Sequence, residues 1–402
     1  MKSIKTILLV LLIYPSLSFG KSISFKDALD NIRKHPQISA INHKANSLES
    51  MAKVAGSWGA PTFKVAAKNF PSDSYDSTKT PMTGVEYSIS QKLSFSTSFS
   101  KKERAMLLAS ESAGFESKLK VQEMAASLWS LLISKRRLKE TVKIYEENLK
   151  WLSNTYNVSK KLYSSGKISQ QALLEFQIRI SSLETEIRNT NFQIEEVDES
   201  LSYLIGADLK IDLKTVPWDS LLTTTKVNDY EESSLVKQVA SQDSLISSQA
   251  LSFLPDPMIS IGYTKREFED GLGDFLSAAI SFPLPISSKD FGLYEKAISD
   301  RSIAQMKLED YKLKKKFLVK KSLIKLKKIS SEVATLESSS IVFAENAKKI
   351  TSKSYSLGEA SYVELLQSEL KLRDLQIRKI SLEAEKLNTA TELKRISGAN
   401  LI

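Results

Sequence analysis

The sequence predicts a mainly α-helical fold with a small β part: long coiled-coil helices plus two β-hairpins per chain, written as an internal tandem repeat. Three observations predict it. Only 13 Gly and 10 Pro interrupt 402 residues, so long stretches are free to be helix. Apolar residues recur at alternating three- and four-residue spacing for many turns, as helices packed at a shallow angle require. Two pairs of short segments instead alternate with period two, the strand signal.

The repeat fixes the organisation. Tyr163-Ser164-Ser165-Gly166 recurs as Tyr355-Ser356-Leu357-Gly358, and Gly206-Ala207-Asp208-Leu209 as Gly398-Ala399-Asn400-Leu401, both at an offset of 192 residues. One offset at two places excludes an insertion between them, and Leu174/Leu366, Leu183/Leu375 and Leu201/Leu393 correspond as well. The expected parts are a signal peptide over 1–20, a first repeat over 21–210, an inter-repeat segment over 211–228 and a second repeat over 229–402.

Taken in order, Lys2 and Lys5 precede an apolar run from Ile7 to Ile13, and Ser18 and Gly20 form a small-residue cleavage site. That is a secretory signal, too short to span a bilayer as a helix. An amphipathic segment follows from about Ser24 to Trp58, with Pro36 near one end. The first hairpin, over 61–95, alternates Phe63, Val65 and Ala67 with Lys64, Ala66 and Lys68. After a polar loop, Val85, Tyr87 and Ile89 alternate with Glu86, Ser88 and Ser90. From about Ser100 to Ser164 there is no Pro and only Gly114. That predicts one helix roughly 95 Å long at 1.5 Å per residue. Its seam runs Leu128, Leu131, Lys135, Leu138, Val142, Tyr145, Leu149, Leu152, Tyr156, Ser159, Tyr163. A tip at 163–169 leads to a second seam: Leu173, Phe176, Ile180, Leu183, Ile187, Thr190, Ile194, Val197, Leu201, Leu204. The second repeat supplies a hairpin over 257–286, with Gly271 and Gly273 in its loop, a long helix from about Lys289 to Ser356 and a tip at 355–361. Lys379 and Lys386 intrude on its return seam.

Composition excludes most chemistry. With no Cys there are no disulfides, thiolate sites or cysteine nucleophiles, and two His do not make a His-rich metal centre. His35 and His43 are eight apart, too far for an i, i+4 metal pair, and both are placed in the first helical segment. Met82, Met106, Met258 and Met306 have no clustered spacing, and no Ser has a His partner. The expectation is no catalytic residue, no metal site and no cofactor. The net charge of +10 falls by two with the loss of Lys2 and Lys5. The lysine run from Lys312 to Lys328 alternates with Leu313, Phe317, Leu318, Leu323 and Leu326, so it reads as a solvated helix face. A nucleic-acid partner does not suit an exported chain.

Four strands of about ten residues suit a tilted membrane crossing, yet four cannot close a barrel and lipid tolerates no open edge. Strands must then be shared between subunits, with two, three or four copies equally compatible. The chain resembles the TolC-like outer-membrane efflux protein family over essentially all of the mature sequence. The matching residues are Ala28, Leu29, His35-Pro36 and Ile38, and the two tips, each Tyr-x-x-Gly followed by a Leu pair at Leu173-Leu174 and Leu365-Leu366. The resemblance implies a homotrimer with a 12-stranded barrel in the outer membrane of a Gram-negative-type envelope and an α-helical tunnel in the periplasm. It implies a passive exit duct, not an enzyme. Its partners would be outer-membrane lipid, a periplasmic adaptor and an inner-membrane pump of RND or ABC type, and its cargo metal ions or drugs. The alternatives are the channel of a type I protein secretion system or, from another class, a periplasmic coiled-coil adaptor. Pro255-Asp256-Pro257 and Gln91-Lys92-Leu93-Ser94-Phe95 resemble the heavy-metal branch (CzcC and CusC types), although the Pro-Gly-Lys and lipidated Cys of that branch are absent.

Site residues are expected at the tips. Gly166 and Gly358 make the turns, because only Gly takes a left-handed backbone cheaply. With Tyr163, Tyr355 and Leu357 they form the expected adaptor-docking tip. By resemblance, acidic residues beyond the second tip narrow the tunnel and select cations. Glu364 keeps that charge, Gln367 does not, and Glu175 on the first hairpin offers a substitute. Tyr355 matches the tyrosine of the links that close family members, but Ala360 and Ala172 stand where their charged partners would be. Closure is therefore expected to rest on packing around Tyr163, Leu357 and Tyr355.

Overall fold

The structure is a computed structural model and describes residues 22–223, 227–268 and 273–401. The expected signal peptide and Gly271 lie outside those residues. The chain divides into two compact units, and each draws on both sequence repeats.

One unit combines the residues up to Arg33 with 128–220 and 335–384. Strand β1 (Ser22–Ile23) pairs in parallel with β4 (Lys210–Ile211). Helix α1 (Phe25–Arg33) opens with Ser24 and Asp27 bonded to each other, which holds the Asp27 carboxyl below its ordinary value. Helix α1 buries Ala28, Leu29 and Ile32. Trp129, on the long α3 (Ser98–Ser164), is buried between Phe25 at 4.7 Å and Trp218 at 5.9 Å, and the Arg136 guanidinium stacks on Trp218. Helix α4 (Gln170–Ile205) is capped by Ser169, whose hydroxyl accepts from the Ala172 N–H. Every α3 and α4 seam position read from the sequence is buried or half-buried except Tyr163. The lysine in that seam, Lys135, is buried against Asp198.

The return leg is less regular. Helix α6 (Ser288–Thr335) passes through one π-turn at Leu336–Ser340 into α7 (Ile341–Leu357). Helix α8 (Tyr362–Ser397) follows. Lys379, the seam intruder, reaches Glu337 of the π-turn at 2.7 Å and Glu383 at 3.7 Å. A charge on the seam is thus satisfied where the helix opens.

The other unit holds 34–127, 221–334 and 385–401. The expected single first helix is two: α2 (Pro36–Gly56) starts afresh with Pro at its first position. His35 therefore caps a helix, its Nδ1 accepting from the Gln37 N–H at 3.3 Å. The cause is local, because a residue before proline is pushed to extended backbone. Strands β2 (Thr62–Lys68), β3 (Gly84–Lys92), β5 (Met258–Lys265) and β6 (Phe275–Ser281) form one antiparallel sheet in the order β2-β3-β5-β6. The two hairpins are as read, joined through β3 and β5, with β2 and β6 as edges. The segments 91–95 and 255–257 meet: the Leu93 N–H donates to the Pro257 carbonyl, and Asp256 accepts from Ser94 Oγ at 3.1 Å and pairs with Lys92.

Helix α5 (Tyr230–Leu251) packs on α3 through serines at heptad spacing. Ser98 bonds Ser248, Ser112 bonds Ser234, and Ser241 donates to the Ala105 carbonyl, all buried. Small side chains let the two backbones approach, and each bond contributes about 1 kcal/mol. Asp229 caps α5 and also accepts from Tyr311 and Lys315; Asp229 backbone lies 2.9 Å from where a Cβ on Gly398 would stand. In the lysine run, Lys312 and Lys315 pair with Glu232, and Lys325 pairs with Glu385. The apolar stripe expected beside these lysines is only partly covered: Leu318 and Leu326 are half-buried. Leu313, Phe317 and Leu323 are exposed, while α6 buries Leu308, Ser322 and Ile329, spaced by multiples of seven.

Candidate functional site

Two regions carry the chemistry: the two faces of the sheet, and the pair of helical tips.

On one face of the sheet, Phe63, Ile89 and Ile261 stand side by side, as do Val65, Tyr87, Tyr263 and Leu276. All of them are exposed. All but Val65 border an apolar groove of about 560 Å³. On the other face the rows are largely polar. Lys64 aligns with Ser88, Gly262 and Ser277, and Ala66 aligns with Glu86, Thr264 and Phe275. Glu86, Ser88 and Thr264 are buried, and Glu86 pairs with Lys68 at 2.7 Å. Glu86 lies where a side chain on Gly262 would be, so Gly262 makes room for that pair. This arrangement inverts a water-soluble sheet, in which the apolar face is the covered one.

At the tips the backbone is as expected. Gly166 (φ +72) and Gly358 (φ +84) are both left-handed, and the Lys167 side chain lies 3.7 Å from the Cβ position of Gly358. Tyr355 is 2% exposed, packed with Leu152, Leu162, Phe176 and Leu365. Its hydroxyl shares a 2.7 Å hydrogen bond with Ser159, and burial raises its pKa above the ordinary tyrosine value. Tyr163 (44% exposed) and Leu357 (56%) stay outside this cluster. The packing of Tyr163, Leu357 and Tyr355 expected from the sequence does not form within the chain. Tyr355 is drawn inward because its ring completes the apolar core and Ser159 satisfies its hydroxyl. Ala172 is fully buried and Ala360 packs on the cluster.

Glu364 closes a capping box on α8. Its carboxylate accepts from the Ser361 N–H at 2.9 Å, and its own N–H donates to Ser361 Oγ at 3.2 Å. Gln367 is exposed and Glu175 half-buried; neither has a hydrogen bond or ion pair among the described residues. The three gate candidates are not brought together within one chain.

A charged layer beyond the tip core stands outside the sequence-based expectations. Glu369 is 2% exposed, and burial pushes its carboxyl above the ordinary range against the pull of Arg373, Arg179 and Lys348. Arg373 pairs with Glu186 at 3.7 Å and lies over Tyr145. Lys348 sits 4.1 Å above the Trp151 ring, its pKa lowered by burial. The signal is present in the sequence. Glu369 occupies the α8 seam between Leu365 and Leu372, where a charge demands a partner. Among the described residues no group of three or more His, Asp or Glu could hold a metal, and no helix is long and apolar enough to cross a membrane.

Solved structures share this fold. The outer membrane protein VceC from Vibrio cholerae is 14% identical, covers 94% of this chain and 96% of its own, and has a TM-score of 0.77. CusC, described by its transmembrane channel formation, is 13% identical over 95% and 94%, at 0.80. The open state of the MtrE outer membrane channel from Neisseria gonorrhoeae is 13% identical over 94% and 89%, at 0.74. No protein-family model matches the chain, and no curated protein does. The chain thus shares the fold of these outer-membrane proteins, mainly helical with a small sheet, as the sequence resemblance implied.

Proposed function

We propose that this protein is a passive outer-membrane exit duct, with its strands in the outer membrane and its helices in the periplasm. The observation that carries the reading is the inverted sheet. Phe63, Tyr87, Ile89, Ile261 and Leu276 stand on an uncovered face. That is costly in water, at about 25 cal/mol per Å² of apolar area, and favourable in lipid. The likeness to outer-membrane channels over nearly the whole chain supports the same assignment.

The edges β2 and β6 cannot stay open in lipid. Joining β6 of one copy to β2 of the next preserves the antiparallel order, and three copies give the 12-stranded homotrimer that the resemblance implies. The duct does no hydrolysis. It docks through Tyr163, Gly166, Leu357 and Gly358 with a periplasmic adaptor and an inner-membrane RND-type or ABC pump, which select metal ions or drugs as cargo. Glu364, Gln367 and Glu175 line its gate, which rests less tightly shut than one held by charged links, since Ala172 and Ala360 offer none. A type I secretion channel is the second reading, and an ATP-driven exporter cross-linked to the tips would favour it.

Membrane fractionation tests the core assignment. The full chain should appear in the outer-membrane fraction as a heat-modifiable trimer and give conductance in planar bilayers. A soluble monomer would refute it. A fully shut baseline that Glu364→Ala does not change would refute the weak gate.

A further inference from the structure

The polar face of the sheet carries four charged strand residues: Lys64, Lys68, Glu86 and Lys92. Lys68 is matched by Glu86 at 2.7 Å, and Lys92 by Asp256 at 3.4 Å. Lys64 is exposed and has no ion pair or hydrogen bond among the described residues. Its row across the sheet is Lys64, Ser88, Gly262 and Ser277, so no neighbour in that row exceeds a serine. Lys64 is then the longest side chain and the one uncompensated charge at that level.

We propose that Lys64 forms an anion-attracting ring inside the barrel, a passage site that favours solutes bearing carboxylate, phosphate or another negative group over cations. This rests on the duct reading, which turns the polar face to the lumen. Each copy contributes one ammonium at the same height, and rings of lysine are a means by which pores favour anions. Low-dielectric walls focus that field, raising the local anion concentration. The ring is opposite in sign to the glutamates at the gate. A solute using the duct therefore meets a cationic level among the strands and an acidic one among the tip helices.

The chain has no Cys, so any introduced thiol is the only one. Ser277→Cys places a reporter in the Lys64 row, and Ile89→Cys places one on the apolar face. The trimer reconstituted in lipid vesicles would be reacted with an anionic and a cationic methanethiosulfonate, with all rates taken relative to a small free thiol. For the thiol at position 277, the anionic reagent should react several-fold faster than the cationic one. The ratio should be kept by Lys64→Arg, fall to near one with Lys64→Gln and invert with Lys64→Glu. Lys265→Gln, on the opposite face, should leave it unchanged. A ratio at position 277 that is the same in all five backgrounds would overturn the ring. If the thiol at position 89 reacts as fast as that at 277 with both reagents, the apolar face is in water, and the duct reading fails together with the ring.

Discussion

The tip bundle and the sheet use the same residue classes with opposite sense. Around Tyr355, the large apolar side chains Leu152, Leu162, Phe176 and Leu365 are inside, with half-buried Trp151, Ile168, Ile180 and Leu366 packed against them. In the sheet, Phe63, Tyr87, Ile89 and Ile261 are outside, while Glu86, Ser88 and Thr264 are covered. Hydrophobicity does not by itself say which face of an element is inward; the surrounding medium does. A core that hides its large apolar residues suits water, and on the duct reading a sheet that shows a whole face of them suits lipid.

That contrast can be broken at either end. Tyr355→Ala opens a cavity in the tip core and should cost about 3–5 kcal/mol, read as a lowered denaturation midpoint for the helical signal. A loss below about 1 kcal/mol would mean that the cluster is not a core. Ile89→Arg should cost about 2–4 kcal/mol in lipid, measured by urea unfolding from vesicles, and close to nothing if that face meets water. The two substitutions test the same rule in the two media.

The charged layer refines the comparison from the inside. Burial raises the Glu369 pKa, so the folded chain binds its proton more tightly than the unfolded chain, whose value is about 4.3. The unfolded state then holds fewer protons, and stability rises as pH falls from above the folded pKa down to about 4.3. Melting of the helical signal should shift upward across that window, and Glu369→Gln should flatten the response. An unchanged pH profile in the variant would place the effect elsewhere. The smallest change is expected from Glu364→Ala, which removes one capping contact and should cost about 1 kcal/mol. A change in channel conductance larger than that stability loss explains would add gating to its capping role.

Much of this architecture is legible in the sequence. The seam of α3 and α4 can be read because its apolar spacing is long and unbroken, and the tips because Gly166 and Gly358 each follow a matched tyrosine. The sheet faces are legible as period-two alternation. Other features carry no apolar signal. Ser98, Ser112, Ser234, Ser241 and Ser248 hold α3 and α5 together at heptad spacing, yet serine is not counted in a hydrophobic stripe. The break at His35-Pro36 has its cause in view, since proline begins helices and restrains its predecessor. Glu364 is singled out through resemblance, whereas Ser361-x-x-Glu364 is itself a capping-box pattern. The exposure of Leu313 and Phe317 depends on which heptad of α6 faces α5, a choice that tertiary packing makes.

If the protein is a membrane duct, the apolar face of the sheet lies in lipid and the polar face in water. Single cysteines placed in turn from Val85 to Gln91, each carrying the same environment-sensitive fluorophore in reconstituted vesicles, test it most directly. Quenching by nitroxide lipids should alternate strictly along β3, strong at 85, 87 and 89 and weak at 86, 88 and 90, with iodide in the aqueous phase showing the inverse. Uniform quenching by iodide at all positions would put both faces of the sheet in water and rule out a strand in the membrane.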